Sequence, residues 1–206
     1  MTALGYDGLV PCGCLYENVE AAYENADSVS DTQKALEDFV NGNADGLAYV
    51  GETEGSLGKA LVWRSYADFY EEITAGEDFW GSTEYVDFDN DGEEELLIHG
   101  YAGACLFFDV AGETVYNVLR TGGTADVAYV AVRQGRRVIA RTDLTHAGRK
   151  QYIIMEYDSC GCPVDWFRLY AEYTGDTYSD GDTFLYRNRE ISMEEFETLR
   201  DSIQEP

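Results

Sequence analysis

Apolar residues in the first third of the chain recur at helical spacing. Leu15, Val19, Ala22, Tyr23 and Ala26 share one face. Ser30 with Gln33 makes a capping box ahead of a second stripe, Leu36, Phe39 and Val40, and Gly42 stands where that helix should stop. After a Gly-rich connection from Gly46 to Gly58, Ser65 can cap a helix carrying Tyr66, Phe69, Tyr70 and Ile73, ended by Gly76. The pattern makes the first 76 residues helical. Each stripe predicts a core-facing surface, not a cofactor box.

From Thr83 the period changes to two. The expected strands are Thr83–Val86, Glu95–His99, Cys105–Val110, Val115–Leu119, Val127–Arg133, Arg136–Arg141, Gln151–Tyr157, Trp166–Tyr173 and Thr183–Tyr186. Ala111-Gly112, Gln134-Gly135 and Gly175-Asp176 supply turns between several of them. Short strands joined by tight turns imply an antiparallel meander. Ser192 and Glu195 form another capping box, opening a last helix with Met193, Phe196, Leu199 and Ile203 on one face. The expected class is α+β: N-terminal helices, then a curved, mainly antiparallel β-meander, then a C-terminal helix. In domain terms, residues 1–64 form a helical extension that packs on an α+β domain at 65–206, together one structural unit.

Charge changes this picture more than size does. The 206 residues carry 40 acidic against 14 basic side chains, a formal net charge of −26. Such a field repels phosphate backbones and anionic headgroups, which argues against nucleic-acid and membrane-surface partners. Most of the acids are expected to form a solvated surface. No apolar run approaches the ~20 residues of a membrane span. Residues 1–6 lack the basic start and apolar stretch of a signal peptide. Two expectations follow: a cytoplasmic protein, or an exported one whose leader, with or without a lipid anchor, preceded this sequence. Low Lys content and abundant Tyr, Asp and Gly favour the second.

The most informative stretch runs from Tyr85 to Ile98. Asp87, Asp89 and Asp91 alternate, so their carboxylates can converge if the backbone coils into a tight loop, and Gly92 permits the sharp return. Calcium takes six to eight hard oxygens, and the three Asp, a backbone carbonyl near Glu93 and a bidentate Glu95 supply most of them. The helical EF-hand closes with Glu at its twelfth position, but the twelfth residue here is Ile98. The closing acid, Glu95, comes at the ninth and runs directly into Leu96-Leu97-Ile98. The expected metal set is therefore Asp87, Asp89, Asp91, Glu93 and Glu95, holding a structural calcium ion. The competing reading is a solvated Asx turn without metal.

This loop resembles the strand-flanked calcium loops of FG-GAP and VCBS-type repeats. Together with the meander and the closing run from Phe184 to Phe196, it also resembles a group of bacterial exported proteins and lipoproteins. Those carry a Tyr-x-Asp-x-Asp-Gly-Asp-Gly-x-x-Glu-Leu loop and end in Asn-Gly-x-x-Ile-Ser-x-Glu-Glu-Phe. The resemblance covers about residues 66–203, with Asn90 in place of the usual loop Gly and Arg189 in place of the hairpin Gly. It implies export and a calcium loop, and no activity.

Five cysteines fall as Cys12-Gly13-Cys14, Cys105 and Cys160-Gly161-Cys162. Cysteines separated by one residue bridge each other only with strain. In an oxidising compartment, cross-pairing between the two Cys-Gly-Cys segments is the better disulfide arrangement. The minority alternative is zinc held by Cys12, Cys14, Cys160 and Cys162, although structural zinc sites favour Cys-x-x-Cys. Cys105 reads as a small buried hydrophobe.

Catalytic constellations are sparse. His99 and His146 are the two imidazoles, His99 at the end of a buried strand and His146 in a polar loop. The sequence contains no nucleophile elbow, His-x-x-x-His pair or phosphate-binding Gly loop. Trp63, Trp80 and Trp166 are expected in the core because apolar or aromatic residues flank each. The leading expectation is a non-enzymatic, calcium-stabilised exported domain that binds a protein or glycan. An extracellular polymer hydrolase using carboxylates and a cytoplasmic zinc-thiolate protein are the alternatives.

Overall fold

A computed structural model of the chain describes residues 29–50, 60–74, 81–159 and 163–204. The helix expected over Leu15–Ala26, the two Cys-Gly-Cys segments, Gly76 and Trp80 lie outside them. The described residues form three α-helices and thirteen strands. Helix α1 (Val29–Val40) leads into β1 (Gly46–Val50) and β2 (Ala60–Arg64), followed by α2 (Tyr66–Thr74). Next come β3 (Ser82–Val86), β4 (Glu95–His99), β5 (Cys105–Ala111) and β6 (Thr114–Thr121). The meander continues as β7 (Val127–Arg133), β8 (Arg136–Asp143), β9 (Arg149–Tyr157), β10 (Pro163–Glu172), β11 (Thr183–Tyr186) and β12 (Arg189–Glu190). Helix α3 (Met193–Asp201) and β13 (Ile203–Gln204) end the order. The protein is thus α+β, with helix first, a mainly antiparallel meander and a closing helix.

The chain divides into two compact units. The first is built on a six-stranded sheet ordered β2-β1-β6-β5-β4-β3. Strands β1 and β2 pair antiparallel from Gly46↔Arg64 to Val50↔Ala60, and β1 lies parallel to β6. This hairpin replaces the helical and connecting character expected before residue 65. Residues 47–50 are a four-residue apolar run between Gly46 and Gly51, and their strand state comes from pairing with β2 and with distant β6. Gly46 is required there: a Cβ would sit 2.9 Å from the Phe39 ring. Aromatic rings from both helices and the sheet make this core. Phe39, Phe69 and Phe108 pack at centroid distances of 5.9, 5.2 and 4.9 Å, each at most 2 % exposed. Leu36 and Ile73 are buried as well. At the start of α2, Ser65 Oγ accepts from the Asp68 N–H at 3.2 Å, while the Asp68 carboxylate accepts from the Ser65 N–H at 3.1 Å. The cap expected at Ser65 is formed. Ser30, by contrast, already lies inside α1. Gly42, at φ 75, ends α1 and donates to Phe39 O at 3.0 Å.

The second unit is built on a seven-stranded sheet ordered β12-β11-β10-β9-β8-β7-β13. Gln134 and Gly135, at φ 52 and 80, join β7 to β8 above the pair Arg133↔Arg136. Two left-handed residues in a two-residue loop suit the twist of a hairpin. Arg187 and Asn188 (φ 50 and 64) do the same between β11 and β12. Arg189 is already in a strand, so its replacement of a glycine needs no positive φ. Tyr152, Ile154, Phe167, Leu169, Phe184 and Phe196 form this unit's core. Helix α3 delivers Phe196 into it, and the Ser192–Glu195 capping box forms with both reciprocal hydrogen bonds.

Candidate metal centre

The loop from Asp87 to Glu95 is closed at its base by the last pair of the β3–β4 ladder, Val86↔Glu95. That pairing sets Asp87, one residue beyond Val86, beside Glu95. Above the base the chain coils on its own side chains. Asp87 Oδ1 accepts from the Asn90 N–H at 2.6 Å, and Asp89 Oδ1 accepts from the Asp91 N–H at 3.1 Å. Such side-chain turns are what Asp at alternate positions favours. Asn90 and Gly92 take the left-handed backbone the coil needs, at φ 70 and 97. Asparagine tolerates that region, so the departure from glycine at position 90 is accommodated.

Asn90 also clamps the loop to β8. Its Oδ1 accepts from the Arg137 N–H at 2.7 Å and its Nδ2 donates to the Arg137 carbonyl at 3.0 Å. The Arg137 guanidinium returns to the loop, donating to the Asp87 carbonyl at 3.0 Å and lying 3.2 Å from Asp87 Oδ2. Nothing in the local pattern announces Arg137, which is 47 residues from Asn90.

Carboxylate oxygens of Asp87, Asp89 and Glu95 lie within 4.8 Å of one another, the one such group of acids, histidines and cysteines among the described residues. Glu95 is 1 % exposed and Asp89 3 %. Burial pushes the Asp89 carboxyl up to about 7, the neighbouring charge of Asp91 adds to this, and the Asp91 N–H opposes it; Asp87 and Asp158 press in the same direction as burial. Asp89 Oδ2 is buried without a hydrogen-bond partner. A buried carboxylate oxygen left this way costs stability, and a cation removes the cost.

Three of the five expected ligands therefore converge. Asp91 is exposed and Glu93 partly so, and neither carboxylate belongs to the converging group. Glu95, at the ninth position, belongs to the converging group, while Ile98, at the twelfth, is fully buried in β4. Cys105 is buried, as expected, its N–H donating to Thr121 Oγ1 at 3.2 Å.

Both histidines face carboxylates. His99 Nε2 is 3.0 Å from Glu84 Oε2 across the β3–β4 ladder. His146 Nδ1 faces both oxygens of the Asp143 carboxylate at 2.7 and 2.8 Å, and Arg149 Nε donates to Asp143 Oδ2 at 3.0 Å. Burial opposes ionisation of Asp143, yet the hydrogen bonds from His146 and Arg149 outweigh it and hold the carboxyl below its ordinary range. Trp63 departs from expectation: on edge strand β2 it is 59 % exposed, whereas Trp166 is partly buried. Comparison with protein-family models, curated proteins and solved structures gives no match.

Proposed function

We propose that residues 87–95 hold one calcium-type cation and that the protein is a cation-stabilised, non-enzymatic binding domain. The observation that carries this is Asp89: a nearly fully buried carboxylate with one oxygen unpartnered, turned toward two further acids. Calcium–oxygen distances are ~2.3–2.6 Å, so one ion reaches oxygens as far as ~4.6–5.2 Å apart, whereas magnesium at ~2.0–2.1 Å reaches ~4.2 Å. Oxygens within 4.8 Å of one another lie inside the span that one calcium ion reaches. Bound there, it supplies positive charge that ties the base of the β3–β4 loop together; Asp87, Asp89 and Glu95 hold it, and Arg137 keeps Asp87 in place.

Few protein ligands make a weak site, of the order of 10⁻⁴–10⁻³ M as in extracellular calcium modules, which supports an exported location. Exposed aromatics favour a protein or glycan surface as the partner. Trp63 and Tyr85 stand on the two edge strands of the six-stranded sheet, and Tyr101 is 57 % exposed.

Thermal unfolding in calcium and in chelator tests the cation. A higher melting temperature in calcium, lost in Asp89→Ala, is expected; identical melting in both conditions overturns the reading. For the partner, Trp63→Ala should weaken retention of the protein on an immobilised glycan array, and unchanged retention removes Trp63 from the binding surface.

A further inference from the structure

Residue 137 meets the acidic loop twice, through its backbone and through its side chain, and the two contacts have different consequences. The backbone contact is the Asn90 pair: the Arg137 N–H donates to Asn90 Oδ1 at 2.7 Å, and the Arg137 carbonyl accepts from Asn90 Nδ2 at 3.0 Å. Any residue but proline at position 137 keeps that pair. Asp87 is placed without the guanidinium as well. The Val86↔Glu95 pair closes the ladder beside it, and its Oδ1 accepts from the Asn90 N–H at 2.6 Å. What the side chain adds is a positive charge, with Nη1 3.0 Å from the Asp87 carbonyl oxygen and 3.2 Å from Asp87 Oδ2. A guanidinium keeps its proton at any ordinary pH, so this charge is permanent. Asp87 is one of the three converging carboxylates, and Asp89 Oδ2, buried among them without a partner, marks where a cation is wanted. An ion bonded to Asp87 at ~2.3–2.6 Å would lie only ~6–8 Å from Arg137 Nη1.

We propose that Arg137 sets the affinity of this site: it is a built-in counter-cation for Asp87 that competes with the calcium held by Asp87, Asp89 and Glu95. The inference rests on the reading of residues 87–95 as a cation site. Without the ion, the guanidinium offsets part of the repulsion among the three carboxylates. With the ion, it faces two further positive charges, and the exposed side chain can leave Asp87 Oδ2 for water. Three ionised carboxylates and one guanidinium leave two negative charges, which one divalent cation neutralises. Loss of the positive charge therefore strengthens calcium binding, whereas loss of a residue that only positioned Asp87 would weaken it.

Isothermal titration of calcium chloride at low ionic strength into the chelator-treated full chain tests this, using wild type, Arg137→Gln, Arg137→Lys and Arg136→Gln. At ~6–8 Å in water a unit charge opposes a divalent ion enough to change affinity about five- to tenfold, so Arg137→Gln should bind calcium more tightly by that factor. Arg137→Lys keeps the charge and should stay within about twofold of wild type. Arg136→Gln removes an equal charge from the adjacent residue, whose guanidinium lies 2.7 Å from Glu156, and should also stay near the wild-type Kd. In chelator Arg137→Gln should melt below wild type, and calcium should raise its melting temperature by more than it raises that of wild type. Arg137→Gln binding calcium no more tightly than wild type overturns the proposal and leaves the loop site standing. An equal gain in Arg136→Gln overturns it too, because the effect is then the field of the whole protein. If neither wild type nor Arg137→Gln binds calcium, the proposal and the loop reading fall together.

Discussion

Replacing Asp89 by asparagine should stabilise the metal-free protein while abolishing its response to calcium, and the two effects have separate origins. Asparagine keeps an acceptor for the Asp91 N–H, and its amide can donate to the acids that converge on Oδ2. What it removes is a buried negative charge. The Asp89 carboxyl rises from an ordinary 3.8 to about 7 on folding. At about 1.4 kcal/mol per unit, the ionised form costs the folded state about 4 kcal/mol at pH 8. The sign follows from linkage. For an acid whose folded pKa is raised, the penalty is absent below the unfolded pKa near 4 and grows as pH rises. It is fully present above the folded pKa near 7. For a chain of this size each kcal/mol moves the melting temperature by about 2–4 °C, so Asp89→Asn in chelator at pH 8 should melt roughly 8–16 °C above wild type. At pH 3, below the unfolded pKa, the difference should nearly vanish. Calcium at ten to a hundred times its Kd should stabilise wild type by about 1.4–2.7 kcal/mol and Asp89→Asn not at all. Melting followed by circular dichroism at both pH values, with and without calcium, reads all four numbers. An Asp89→Asn protein that melts below wild type in chelator at pH 8, or that keeps the calcium response, refutes the reasoning.

Asn90→Gly preserves the left-handed backbone but deletes the clamp on Arg137, and should cost about 1–3 kcal/mol in urea unfolding. Phe196→Ala should cost about 3–5 kcal/mol, because the ring is fully buried against Tyr152, Tyr178 and Phe184. Ser192→Ala on the same helix should cost about 1 kcal/mol through loss of its cap. Asp143 behaves oppositely to Asp89: its folded pKa is lowered, so its contribution is present above pH ~4 and is lost as pH falls through the folded value. Acid unfolding of Asp143→Asn should therefore show a shallower loss of stability below pH 4 than wild type.

The legible parts of this protein are the ones written in neighbouring residues. Ser65 with Asp68 and Ser192 with Glu195 cap helices through atoms three positions apart, which any sequence reader can see. The Gln134-Gly135 turn and the strands on either side of it depend on local φ preference and alternation. The acidic loop belongs here too. Its side-chain turns at Asp87 and Asp89 span two or three residues, and Glu95 closes it through the ladder next door. Strands β4 and β5 were legible for another reason: both lie inside the sheet and read as near-continuous apolar runs.

What could not be read in advance depends on segments far apart in the chain meeting. Strand β1 exists because β2 and β6 flank it, and Trp63 is exposed because β2 ends the sheet. Arg137 reaches the loop through a hydrogen-bond pair spanning 47 positions, and Tyr157 meets it by packing on Phe88. The acidic motif by itself determined which residues could face a cation and where the loop had to close. Only the tertiary structure decided that Asp89 is the carboxylate taken out of water, with one oxygen unpartnered. Burial is set by what packs around a residue, and spacing along the chain carries no record of it.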